Sequence, residues 1–294
     1  MRISQQQLVT SSLEQVRIRL EALSRAQAVA SSGRSAQKPS DDPGKAGGIL
    51  GLRAAQKSRE QEAKNADNAS TWVSLSDAKL QQASQAIQRA RDLTVRAAST
   101  LQPSERDAIS AELNEIRDEL VGIANSQNEG QGLFAGTAGG TAVAQVAGSW
   151  TYVGNQGAVS RRVGDNELLD VNQTGDKIFG FSAGDNTFKM IDDVVGLIQS
   201  GNPGAVGASL TRIDAALGRV LDGAAQVGAA GTRIERTNAR NSSDQIAIKT
   251  ELSDLQDVDM VDAISDLKLQ ETGYQATLTA MARVLQPSLA DFLH

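Results

Sequence analysis

The stretch QQQLVTSSLEQVRIRLEALSRAQAVAS, residues 5–31, contains neither Pro nor Gly and repeats its apolar residues at heptad spacing. Val9, Leu13, Val16, Leu20, Leu23, Gln27 and Ala30 step alternately by four and three, and all but Gln27 are apolar. That spacing predicts a helix with a coiled-coil seam, roughly 40 Å long at 1.5 Å per residue. The other end of the sequence repeats the pattern. Met260, Ile264, Leu267, Glu271, Tyr274, Leu278, Met281, Leu285, Ser288 and Phe292 follow the same alternation and are mostly apolar. Charge separates the two ends: residues 1–60 carry net +5 and residues 251–294 net −6. Opposite charge beside two apolar seams favours pairing of the two arms with each other and opposes self-pairing of either.

Inward from the arms, SSGRSAQKPSDDPG (31–44) breaks the first helix. Gly33 suits the left-handed position that ends a helix. Asp42 is placed to cap the next helix, with Pro43 at its first position. From Pro43 to about Thr100 a second heptad row runs Leu52, Ala66, Val73, Leu80, Ile87, Thr94 and Leu101, with Arg59 as its polar exception and Ala83, Ala90 and Ala97 as small partners. LQPSERD (101–107) reads as a turn with Ser104 as the next cap. Ile109, Leu113, Ile116, Leu120 and Ile123 then predict an antiparallel helical partner. After Asn128 the composition becomes Gly-rich with short β-type runs, which predicts a β-rich insert over about 137–186. Helical pattern resumes near Thr187, with a turn at Gly201–Gly204.

Composition excludes several chemistries. Among 294 residues there is no Cys, and the one His is His294. That removes disulfides, Cys-based metal sites, thiol catalysis and a Ser–His–Asp triad. Net charge of −6 argues against general nucleic-acid binding. Aromatics make up 3%, which points to Ala- and Leu-packed long helices rather than a compact aromatic core. The N-terminus lacks the apolar stretch of a signal peptide, and no stretch approaches the ~20 apolar residues of a membrane span. A soluble chain outside the general secretory route is expected. Asp254, Asp257, Asp259 and Asp262 lack the Gly and late Glu of a calcium loop, GQGLFAG (130–136) has the wrong spacing for a dinucleotide loop, and Asp41 and Asp42 beside prolines read as caps. No catalytic, cofactor or metal site is expected, and no enzyme.

The opening MRIS with SSGRSAQKPSDDP (31–43), the block RARDLTVRAASTLQPSERDAISAELNEIRDELVGIANSQNEGQGLFAGT (89–137), the segment YVGNQGAVSRRVGDNELLDVNQTGDKIF (152–179) and the tail DMVDAISDLKLQETGYQATLTAMARVLQPSLADFL (259–293) occur here in order. Together they resemble the flagellins and flagellar hook-associated proteins, and the last two are most similar to the members at the hook–filament junction. The resemblance implies a mainly α fold: a long-helix bundle with coiled-coil termini and a β-rich outer domain. It divides the chain into an inner arm (1–43), a helical bundle (44–136 and 187–258), the β-rich outer part (137–186) and a second inner arm (259–294). It also implies a self-assembling ring exported unfolded by a type III apparatus with a chaperone, transiently cytoplasmic and then extracellular on the flagellum. Its partners would be flagellin and the hook-side hook-associated protein, with no nucleic acid and no membrane insertion. The expected assembly interface is Val9, Leu13, Val16, Leu20 and Leu23 on one arm and Ile264, Leu267, Tyr274, Leu278, Met281, Leu285 and Phe292 on the other, with Pro39, Asp41, Asp42 and Pro43 in the turn. Two other readings stay open on sequence: a short flagellin that builds filament, and a coiled-coil tethering module with a β head.

Overall fold

The computed structural model describes residues 2–35, 43–99, 102–164 and 167–285. Helices dominate: α1 (Arg2–Ser32), α2 (Pro43–Ala97), α3 (Pro103–Ala124), α4 (Gly175–Ile178), α5 (Thr187–Gln199), α6 (Pro203–Gln256) and α7 (Met260–Leu285). Between α3 and α4 lie six short strands, β1 (Gln127–Asn128), β2 (Gln131–Gly132), β3 (Val143–Val146), β4 (Ser149–Tyr152), β5 (Ser160–Gly164) and β6 (Glu167–Asp170). The fold is thus mainly α with a small β-rich insert. No described helix is long and apolar enough to cross a membrane.

Local chemistry sets the helix ends. Gly33 takes φ +68°, the left-handed conformation that closes α1. Pro43 and Pro203 open α2 and α6, where a missing N–H costs nothing. Asn186 caps α5 by accepting the Lys189 amide at 2.8 Å. The expectation for α3 is corrected by two residues: Gln102, not Ser104, is the cap. Pro103, with φ fixed near the helical value, occupies the first position, and the Gln102 amide donates to Glu105 Oε2 at 2.9 Å.

The chain forms two compact units: residues 1–58 with 245–294, and residues 59–244. The second has a continuous apolar core. On α2 the heptad row Ala66, Val73, Leu80, Ile87 and Thr94 is buried, as are Ala83, Ala90 and Ala97. On α3 the row Ile109, Leu113, Ile116, Leu120 and Ile123 is buried. The strands make three antiparallel hairpins, β1–β2, β3–β4 and β5–β6. The first turns on Glu129 (φ +52°) and Gly130 (φ +81°), the second on Ala147 (φ +49°) and Gly148 (φ +80°). Two consecutive positive φ values make these the turns whose twist suits a hairpin.

A lone two-stranded hairpin is marginal in water, so each must lean on something. Trp150 of β4 stacks on Phe188 of α5 with centroids 5.6 Å apart, and its indole N–H donates to Asp192 at 2.7 Å. Asn65 of α2 and Asn241 of α6 donate to the carbonyls of Arg162 and Val163 on β5, at 2.8 and 3.0 Å. Residues 137–186 therefore pack on helices and belong to the second unit. Phe134, Phe179, Phe181 and Phe188 form a chain of ring contacts under them. Tyr152 joins through Phe181, and its hydroxyl donates to the Asn155 carbonyl at 2.7 Å. Burial, with Asp176 nearby, pushes that phenol up to about 12.

Two features of this unit give predictions. Gly136 has φ +73°, and a Cβ there would sit 2.1 Å from the Asn155 carbonyl oxygen. Gly136→Ala should destabilise the protein by on the order of 2–4 kcal/mol, read as a lower urea midpoint. Separately, Arg212 hydrogen-bonds Asp185 and holds its carboxyl below the ordinary range, while Arg212 also reaches Asp193 at 3.1 Å. The stabilisation from a depressed carboxylate is present above its unfolded value near ~3.9 and disappears as pH falls through the lower folded value. Both partners are about a third exposed, so the effect should be under about 1 kcal/mol. Asp185→Asn should remove that share of the acid-side stability loss below about pH 4, measured by urea melts from pH 3 to 6.

Candidate assembly interface

In the first unit α1 packs against α7. Contacts fix the register and direction. A Cβ on Gly33 would lie 3.8 Å from Met260 Sδ, and one on Gly273 would lie 3.8 Å from Arg19 Nη1. Ser12 and Gln15 lie beside Thr277 and Met281. As residue numbers rise on α1 they fall on α7, so the arms are antiparallel.

The two helices also break at the same level. The Ser35 amide donates to the Gln256 carbonyl at 2.7 Å, and the Val258 amide donates to the Gly33 carbonyl at 3.0 Å. This short antiparallel bridge ties the end of α1 to the start of α7. The Gln256 side chain is buried and accepts from Arg53 Nη2 at 2.8 Å. Asp259 caps α7 by accepting the Val261 amide at 2.8 Å, and Asp257 accepts from Ser253 Oγ. The acidic run thus terminates and starts helices. Among the described residues no group of three or more His, Cys, Asp or Glu could hold a metal ion.

The buried strip is narrower than the heptads imply, and rotated. Along α1 Ser12, Val16, Leu23, Ala26 and Ala30 are at least half-buried, and along α7 Ala263, Leu267, Gln270, Tyr274, Thr277 and Met281. Only Ala26 and Ala263 are fully buried. Of the expected interface residues, Val16, Leu23, Leu267, Tyr274 and Met281 are half-buried along this strip. Leu13, Leu20, Ile264 and Leu278 lie to one side, 52%, 49%, 45% and 41% exposed. Pro43 is exposed at the start of α2. Pro39, Asp41, Asp42 and Phe292 lie outside the described residues, as do the side chains of Val9 and Leu285.

The strip divides the arm pair into two unlike faces. At 100° per residue, Leu13 and Leu20 sit roughly a quarter turn from the strip on α1, and Ile264 and Leu278 sit the same way round on α7. Because the helices are antiparallel, both sets emerge on one face. The other face carries a groove of about 280 Å³ lined by Ala22, Arg25, Ala26, Val29, Ala263 and Asp266. One side offers large apolar knobs; the other offers a groove floored by alanines and flanked by Arg25 and Asp266. Sequence spacing placed Leu13, Leu20, Ile264 and Leu278 in the seam between the arms, whereas they stand beside it. It missed Ala26, Ala263, Arg53 and Gln256, whose importance lies in what they touch.

Comparison with known proteins bears on this arrangement. Residues 3–139 match the family model for the bacterial flagellin N-terminal helical region, and residues 210–293 match that for the C-terminal helical region. The two matches take in about three quarters of the sequence, including both arms. The chain belongs to the bacterial flagellin family. Within that family it is similar to flagellar hook-associated protein 3 of Escherichia coli, with 28% identity over 85% of this chain and 86% of the relative. Flagellar hook-associated protein 3 of Salmonella typhimurium is 27% identical over 84% and 85% of the respective chains. A solved putative flagellar hook-associated protein from Vibrio parahaemolyticus shares the fold at TM-score 0.70 and 24% identity, covering 74% of this chain and all of that one. The flagellar junction protein FlgL of Legionella pneumophila shares it at TM-score 0.61 and 14% identity, over 71% and 99%.

An arm pair in which only Ala26 and Ala263 are fully buried among the described residues has little apolar burial behind it. Light proteolysis of the purified monomer should remove roughly the first 40–50 and last 30–40 residues before residues 59–244 are cut. Mass spectrometry of the surviving fragment checks this, and arms that outlast the second unit would contradict it.

Proposed function

We propose that this flagellin-family chain is a structural part of the bacterial flagellar axis, forming a ring at the junction of hook and filament on which flagellin filament grows. The observation that carries the reading is the likeness to hook-associated protein 3 along most of both chains, joined to an arm pair whose apolar knobs are exposed in the single chain. Exposed contiguous apolar faces on an ordered helix pair mark a partner surface. Unlike faces on opposite sides suit head-to-tail packing of copies around an axis.

On this reading residues 1–43 and 259–294 form the inner layer, the helices of 44–136 and 187–258 the middle layer, and 137–186 the outer one. The partners are further copies of the chain, flagellin on one side and the hook-side hook-associated protein on the other. A flagellar chaperone would cover the C-terminal helix before type III export. The absence of disulfides leaves nothing covalent to obstruct passage as an unfolded thread. The working parts are interfaces, not a reaction centre.

Deleting the gene in its host should leave hooks without filaments and release flagellin into the medium, seen by electron microscopy and by blotting the supernatant. Hooks that still carry filaments would overturn the junction role.

A further inference from the structure

A basic row on α6 has no counterpart in the function proposed so far. Arg233, Arg236 and Arg240 fall at i, i+3 and i+7 and are all exposed. That spacing puts them within about 60° of one another, along roughly 10 Å of helix. They lie one residue before the buried row Ile234, Thr237 and Asn241, so they line the flank of the helix. Glu167 of β6 reaches Arg233 at 3.1 Å and Arg240 at 3.7 Å, holding both side chains. The side chain of Arg236 has no partner among the described residues, and neither has that of the exposed Arg162 on the adjoining β5. Four arginines against Glu167, with Asp244 at the end of the row engaged by Arg59, leave an excess of positive charge here, in a chain whose net charge is −6.

The complement is on the same unit. On α3, Glu112, Glu115 and Glu119 have the identical i, i+3, i+7 spacing, are exposed, and lie one residue before the buried row Leu113, Ile116 and Leu120. Arg89 of α2 pairs with Glu119; Glu112 and Glu115 are unpaired among the described residues. The two rows cannot meet within one chain. Glu119 stands beside Arg89, whereas Gly231 packs against Val73, about 16 residues or roughly 24 Å lower along α2. The directions agree, however. Arg91 pairs with Asp214 and Arg59 with Asp244, so α6 runs antiparallel to α2. Arg89 pairs with Glu119 while Ala97 lies beside Arg106, so α3 is antiparallel to α2 as well. In two copies pointing the same way, the rows therefore run parallel, and Arg233, Arg236 and Arg240 face Glu112, Glu115 and Glu119 in order.

We propose that the arginine row of α6 docks against the glutamate row of α3 of a second copy, staggered along the bundle axis. The contact is heterologous, the kind that builds rings or helices rather than closed dimers. Charge rows of matching pitch also fix register and partner more than they add affinity. The stagger makes successive copies climb, which a level ring would not need. This inference rests on the self-assembly proposed above and names a second contact for it, away from the arms.

The chain has no Cys, so an engineered pair reports cleanly. The double variant R236C/E115C should give, on mild oxidation, a ladder of disulfide-linked oligomers beyond the dimer. Either single variant should give no ladder. The assay is run on isolated flagella from cells producing the chain and on the concentrated purified chain. Reversal at all three arginines (R233E/R236E/R240E), in the background carrying the cysteines at 115 and a neighbouring exposed position (A239C in place of R236C), should cut the ladder at least tenfold. Adding E112R and E119R should restore part of it. Circular dichroism confirms that each variant folds. If flagella contain the chain and neither preparation gives a ladder, the contact is wrong. If flagella lack the chain, the junction reading falls, and the contact is judged on the purified protein alone. Restoration of nothing by the second reversal would point to some other anionic partner and overturn the pairing.

Discussion

Two antiparallel helices can bury only one narrow strip of each other. The exposure of the arms follows from that limit. A heptad helix carries two apolar rows per seam, yet a lone partner covers little more than one. Here the covered strip favours small residues, Ala26 and Ala263, which let the helices approach. The larger Leu13, Leu20, Ile264 and Leu278 are left at the side. Among the described residues nothing covers them. On the proposed reading, that exposed apolar surface is what further copies would cover.

The second unit is built on the opposite principle. Residues 59–244 enclose a core that runs from Ala66 on α2 to Ile234 on α6. The scarce aromatics are concentrated there. The Phe rings 134, 179, 181 and 188, with Trp150 and Tyr152, lie where hairpins meet helices. These junctions need bulky side chains because hairpins and helices do not interlock by ridge and groove as helices do. A well-buried body and sparsely buried arms thus sit in one sequence, and the charge rows on the body are only partly paired in the single chain.

Much of this was legible beforehand. The rows Val73–Leu80–Ile87 and Leu113–Ile116–Leu120 are buried where their spacing put them, because a helix core facing several partners takes all apolar positions inward. Gly33 and Pro43 end and start helices where their backbone chemistry requires. The arms were less legible, since periodicity gives the rows of a helix but not how many partners will cover them. Gln256 and Arg53 were invisible: a lone Gln and a lone Arg have no pattern, and their bond joins positions 203 residues apart. The cap on α3 moved from Ser104 to Gln102 because Pro103 outweighs a hydroxyl in deciding the first helical residue.

By itself the sequence determined the helices, their breaks, the β insert and the family, since these depend on local dihedral preference, period and composition. Tertiary structure decided which row of each arm is hidden, how the hairpins lean on α2, α5 and α6, and that equal charge rows stand at different heights on one body. Those facts depend on how far apart elements lie in space, and spacing along the chain does not encode that distance.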